Sequence, residues 1–130
     1  MLVVDHCVRP STIHGLGVFI MEAVAAGTVV WRYDPTFDIE ISANTVAGFP
    51  KDVAEVVYHH AEYLPEHEIF RLGNDADIFM NHSSGPSLID LGDEMIASQD
   101  LVVGDELTCD YRKVCVVGFT ACVKASCAHP

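Results

Sequence analysis

Short runs of β-branched and apolar residues, each cut off within a few positions by glycine, proline or aspartate, set the strongest limit on what this chain can fold into. Leu2 to Val8, Val18-Phe19-Ile20, Thr28 to Tyr33, Ile78 to Met80, Met95 to Ala97, Leu107 to Tyr111 and Val114 to Phe119 all read as short strands. Turns fall at Ser11 to Gly17, Ala25-Ala26-Gly27, Asp34-Pro35 and Val103-Gly104-Asp105. Helical spacing takes over only from Asp52 to Tyr63, where Val53, Val56, Val57, Ala61 and Leu64 form an apolar face and Pro65 is a stop. Ser42 or Asn44 is a candidate cap upstream. A mainly β domain with one helical insert is expected.

Length agrees with a single unit. At 130 residues, 50% of them hydrophobic, the chain can bury one core and has little left for a second. No apolar run is long enough to span a bilayer, because Asp5 and Arg9 interrupt the N-terminal segment. That segment also lacks the basic and small-residue flanks of a secretory signal. A soluble, intracellular protein is expected, cytoplasmic or, if it acts on chromatin, nuclear.

Charge narrows the partners. Lys and Arg total 7 against 19 Asp and Glu, a net charge of -12, which repels phosphate backbones and attracts a basic protein or peptide. An acidic surface also serves solubility alone, so the charge permits a basic substrate without requiring one. Five cysteines and no signal argue against a disulfide framework. Cys115, Cys122, Cys127 and His129 form an irregular late cluster; its spacing fits no zinc motif well, and buried or free thiols are the expectation. His59, His60 and His67 lie among Glu62, Glu66 and Glu68 without an HExxH pattern and read as a solvated helix face.

Three segments carry chemistry. In His14-Gly15-Leu16-Gly17-Val18-Phe19 two glycines let the backbone bend and approach a ligand, although a plain hairpin turn explains them as well. Asn81-His82-Ser83, after Phe79 and before Pro86, offers donors and acceptors from a loop, or an Asx-type turn satisfying its own backbone. Gly104-Asp105-Glu106-Leu107-Thr108-Cys109-Asp110-Tyr111 delivers a strand ending in tyrosine, which is also what a core tyrosine looks like.

In this order the three segments resemble the SET domain family of protein-lysine methyltransferases. Ser11-x-x-His14-Gly15-Leu16-Gly17-Val18-Phe19 is similar to the family's opening glycine motif, and Gly27 to Tyr33 to its next strand. Phe79-Met80-Asn81-His82-Ser83 resembles the central asparagine-histidine motif, and Gly104 to Tyr111 the closing one. The likeness runs from about residue 8 to 111, with residues 36–75 as a variable helical insert and 112–130 as an atypical tail.

The resemblance implies a β-clip-like fold of several small sheets, with a C-terminal pseudoknot that brings Asn81-His82 beside Tyr111. It implies S-adenosylmethionine as cofactor, held by His14, Gly15, Leu16, Gly17, Asn81 and His82. Tyr111 would be catalytic, and Tyr33, Phe79 and Cys109 would line a substrate channel; no metal is implied. The substrate would be a lysine in a basic, histone-like protein. Departures occur at Cys109, where the family often has an aromatic residue, and at Ser87 after Pro86 and Asp34-Pro35-Thr36 after Tyr33. Cys109 leaves room for di- or trimethylation. The alternative is a catalytically silent SET-fold module that binds a basic peptide. The apolar residues from Val114 to Phe119 are compatible with covering the channel or with a homodimer.

Overall fold

The structure is a computed structural model, described here for residues 1–119; Cys122, Cys127 and His129 lie outside them. In chain order the elements are β1 (His6–Pro10), β2 (Leu16–Ile20), β3 (Val29–Arg32), β4 (Ile39–Ser42), α1 (Ala43–Ala47), α2 (Lys51–His60), β5 (Glu62–Leu64) and β6 (Ile69–Leu72). A single 3-10 turn (Ala76–Phe79) follows, then β7 (Asn81–His82), β8 (Leu88–Asp90), β9 (Glu94–Ala97), β10 (Glu106–Cys109) and α3 (Tyr111–Val114). Three small sheets result, ordered β1-β2-β10-β7, β3-β9-β8 and β4-β6-β5. The mainly β fold of several small sheets is what the sequence led us to expect.

The first sheet assembles the chemistry. β1 and β2 form an antiparallel hairpin from His6 opposite Ile20 to Pro10 opposite Leu16. Gly15 turns that hairpin at a φ of 46°, a left-handed conformation costly for other residues. β10 runs antiparallel to β2 on one side and parallel to β7 on the other, with Cys109 opposite His82. The two motifs, far apart in sequence, thus become neighbours. Ser87 fastens the segment after β7 to β10: its amide donates to the Thr108 hydroxyl at 3.0 Å, and its hydroxyl donates to the Glu106 carbonyl at 2.9 Å. The serine that departs from the family pattern is therefore a working strap.

Two apolar clusters support the sheets. Val18, Ile20, Val30, Leu88, Leu101 and Leu107 anchor the larger one, between the first two sheets. The smaller lies under α1 and α2, where Val46, Val57, Ala61, Tyr63 and Phe70 pack with Cys115 from beyond α3. Tyr58 and Tyr63 tilt against Phe70 at 5.5 and 4.8 Å between ring centres.

Several expectations need correction. Residues 36–75 are not simply helical: the insert also holds the β4-β6-β5 sheet, and Ser42 caps a separate short helix by accepting the Thr45 amide at 3.1 Å. α2 ends at His60, and its buried side is Ala54 and Val57, whereas Val53 and Val56 face solvent. Helical spacing alone does not say which flank of an apolar stripe meets a neighbour. Residues 76–79 coil into the 3-10 turn because the Asp75 carboxylate accepts the Asp77 amide at 3.0 Å. Tyr111 opens α3 rather than ending a strand, since Asp110 accepts the Arg112 amide at 3.0 Å and caps the helix. Val114 to Phe119 accordingly form no strand. Cys7 and Cys109 are free thiols, whereas Cys115 is not, contrary to the expectation for the late cysteines.

Candidate functional site

Glu106 is the hub of the first half of the site. The Ser11 hydroxyl donates to its carboxylate at 2.8 Å, and the Asn81 amide group donates to it at 3.0 Å. The same Asn81 nitrogen donates to the carbonyls of His14 and Leu16, each at 3.0 Å. A Cβ on Gly17 would sit 2.5 Å from a Glu106 carboxylate oxygen, so glycine is what lets β2 approach the hub. These bonds clamp the glycine hairpin, the asparagine and β10 together. Asn81 is buried, and its donors are spent on protein acceptors; among the described residues nothing donates to its Oδ1.

Beyond Asn81 the strand presents His82. The Tyr111 amide donates to His82 Nδ1 at 3.1 Å, so that nitrogen is an acceptor and the ring proton lies on Nε2. The 3.7 Å approach of the same Nδ1 to Asp110 is then not an ion pair. Asp110 pairs instead with Arg112 at 3.1 Å, and the Arg112 hydrogen bond holds its carboxyl below the usual range. Phe119 packs on the His82 ring at 4.6 Å and edge-on to Tyr111 at 5.5 Å, roofing both. The Tyr111 hydroxyl donates to the Met80 carbonyl. Burial, with a further contribution from Cys109, pushes the phenol above its ordinary range, so it stays protonated at any physiological pH.

Tyr111 also borders a pocket of about 80 Å³ that the larger apolar cluster lines on one side. Trp31, Met80, Met95 and Cys109 supply apolar wall, and Asp77, Glu62 and Arg71 supply polar wall. Burial likewise raises the Cys109 thiol, which leaves it an unreactive wall. Of the three expected channel residues only Cys109 lines this pocket. Phe79 does not, its neighbours Ile78 and Met80 taking that place. Tyr33 also lies off it, covered by the Arg71 guanidinium at 3.8 Å, and Trp31 two residues earlier faces the pocket instead. His59 and His60 are solvent-exposed on α2, as expected, and also border the pocket. Among the described residues no three His, Cys, Asp or Glu side chains are grouped to hold a metal.

The comparisons with known proteins fit this geometry. A model of the SET domain matches residues 15–112, three quarters of the chain. The chain belongs to the SET domain family. A search among curated proteins found no match. Among solved structures, a Plasmodium falciparum protein assigned as a histone methyltransferase superposes with a TM-score of 0.58 at 17% identity, over 85% of this chain and 95% of that one. Chaetomium thermophilum Polycomb Repressive Complex 2, autoinhibited and bound to S-adenosylmethionine, gives 0.64 at 19% identity, over 84% of this chain and 15% of that one. An inhibitor-bound humanized mutant of the same complex gives 0.64 at 18%. This SET domain chain thus spans nearly the whole of the first relative and a small part of the Polycomb chains.

The donor set suits the amino-acid end of a methionine-derived cofactor. An ammonium seeks acceptors, and Asn81 Oδ1 is an oriented, unspent one beside the hairpin at Gly15, where no side chain crowds the glycine. Sequence reasoning missed Glu106, Trp31, Met80 and Asp77. Glu106 carried a signal, a carboxylate two residues before Thr108 on an otherwise apolar strand, hence on one face with it. Asp77 and Trp31 carried none.

Proposed function

We propose that this SET domain chain transfers a methyl group from S-adenosylmethionine to the side-chain amine of lysine in a basic, histone-like protein. The observation that carries the reading is the placement of Tyr111. It touches His82 and Phe119 on one side and borders the pocket on the other, so the cofactor half and the pocket half share one neutral phenol. When bound, S-adenosylmethionine supplies the electrophilic methyl group. Asn81 and the carbonyls it braces would orient the cofactor's amino-acid end, and the strand at His82 would flank its base.

Tyr111 would position the acceptor nitrogen. Its hydroxyl proton is committed to the Met80 carbonyl, which leaves oxygen lone pairs facing an incoming N–H. As the phenol stays protonated it is no general base, and its part is orientation. The apolar walls favour the neutral amine the reaction needs, since burial penalises an ammonium whose free pKa is near 10.4. The net charge of -12 favours encounter with a basic protein, and the Plasmodium relative's assignment points to histones.

The test is methyl transfer from radiolabelled S-adenosylmethionine to core histones and to a basic cell extract, with Tyr111→Phe in parallel. Label on lysine that the substitution abolishes supports the reading. Cofactor binding by calorimetry without label on any substrate would favour a silent module that binds a basic peptide.

A further inference from the structure

His60 is exposed on the last turn of α2, yet its ring is committed. His60 Nδ1 lies 3.2 Å from the Ile78 carbonyl, which can only accept, so Nδ1 carries the proton and donates. Its neighbour His59 stays local, with Nδ1 on the Glu55 carbonyl of the same helix at 2.8 Å. The footing under His60 is firm. Val57 and Ala61 are buried, the Ala61 amide donates to the Val57 carbonyl at 2.9 Å, and the Gly118 amide donates to the Tyr58 carbonyl at 2.8 Å.

What the bond holds gives it its interest. Ile78 belongs to the 3-10 turn Ala76–Phe79, whose four residues are half-buried or exposed. So short a 3-10 turn has poor hydrogen-bond geometry of its own, and contacts from outside decide where it lies. Its entry is braced from the core. The Asp75 carboxylate accepts the Leu2 amide at 2.9 Å and the Asp77 amide at 3.0 Å, and the Trp31 indole donates to Asp77 at 2.8 Å. Its exit half, Ile78-Phe79, is held by His60 from α2. Met80 follows, its amide on the Asp77 carbonyl at 3.0 Å and its carbonyl accepting the Tyr111 hydroxyl. One chain of contacts thus runs from the insert, through the turn, to the phenol where the two halves of the site meet.

We propose that His60 is a positioning residue for Tyr111: through the Ile78 carbonyl it fixes the turn that presents the Met80 carbonyl to the phenol. The proposal rests on the methyl-transfer reading of Tyr111 and gives the helical insert a part in it, since α2 aims a hydroxyl carried by α3. Losing the bond lets the exit of the turn relax. The hydroxyl then loses its fixed direction toward the acceptor nitrogen, while the pocket walls and the cofactor half stay in place. A neutral hydrogen bond at an exposed position is a small lever, so the loss is in rate and amounts to about fivefold.

Two substitutions separate the bond from the bulk of the ring. His60→Leu removes the donor, and His60→Asn keeps an N–H close to where Nδ1 stands. At saturating S-adenosylmethionine with core histones, His60→Leu should lower kcat about fivefold with KM for the histones unchanged, and His60→Asn should stay within about twofold of wild type. Trp31, the only tryptophan, gives a reading that needs no turnover, because its indole is bonded to Asp77 in the same turn. Its emission maximum should shift in His60→Leu and hold in His60→Asn. A wild-type kcat in His60→Leu, or a His60→Asn protein as slow as His60→Leu, overturns the assignment. So does a raised KM with kcat unchanged, which would put His60 on the substrate instead. Emission that is the same in all three proteins overturns the brace itself. If wild type transfers methyl to no substrate while the emission shift stays confined to His60→Leu, the brace stands and the enzymatic reading falls.

Discussion

The two halves of the site are satisfied to very different degrees. Around Glu106 the polar groups spend themselves on one another: Ser11 and Asn81 donate to its carboxylate, and Asn81 also ties down the His14 and Leu16 carbonyls. Around Asp77 two carboxyls are pressed together instead: Asp75 shares a hydrogen bond with Asp77, whose Oδ1 is buried without a donor among the described residues, and the Arg71 guanidinium is paired elsewhere. A closed network fixes geometry before any ligand arrives, which is what a small cofactor held by backbone groups requires. The two regions meet at Tyr111.

The contrast breaks most visibly at that meeting point. Tyr111→Phe should lower methyl transfer by about a hundredfold while cofactor binding persists, because it removes an orienting hydroxyl and leaves both halves standing. Equal rates for the two proteins would show that the halves do not share the phenol.

The satisfied half is tested by stability. Glu106→Ala removes the acceptor for two side chains, so urea unfolding should show a loss of about 2 kcal/mol, together with weaker cofactor binding. An unchanged urea midpoint would mean that the hub is decorative.

Asp77→Asn should do the opposite, and only at the right pH. The Asp77 carboxyl is raised from 3.8 to about 7 in the folded chain, so ionising it there costs stability. Its favourable contribution is full below pH 3.8 and is lost as pH rises through about 7. The variant should therefore match wild type near pH 4 and exceed it above pH 7, by on the order of 2 kcal/mol. Destabilisation at pH 8 would contradict an unmatched carboxylate.

Cys109→Tyr is the mildest of these. It narrows the pocket wall and adds a hydroxyl beside Tyr111, so mass spectrometry of the product should show fewer methyl groups per lysine. The extra volume at a buried position should cost about 1–3 kcal/mol. An unchanged product distribution would leave Cys109 as filler.

Much of the first half could be read directly from the chain. Gly15 and Gly17 announced a tight hairpin, Asn81-His82 a polar loop, and the family resemblance implied that Asn81-His82 lies beside Tyr111, as it does. Glu106 stood inside one of those segments with its role unread, because its partners, Ser11 and Asn81, lie 95 and 25 residues away. The second half was harder. Trp31 rather than Tyr33 faces the pocket: β3 ends at Arg32, so Tyr33 lies beyond the strand, where alternation no longer sets its direction, and Arg71 covers its ring.

What the sequence determined by itself is local or ordinal: turns that need glycine, short strands that need β-branched residues, a cap such as Ser42, and a sign of charge. These depend on neighbours a few positions away, whose conformational preferences the chain carries with it. The tertiary structure alone decided which polar groups have partners. Whether Asp77 is matched depends on Trp31, Gly73, Arg71 and Met1, brought in from three other segments, and burial turns their arrangement into energy only once the pocket has closed around them.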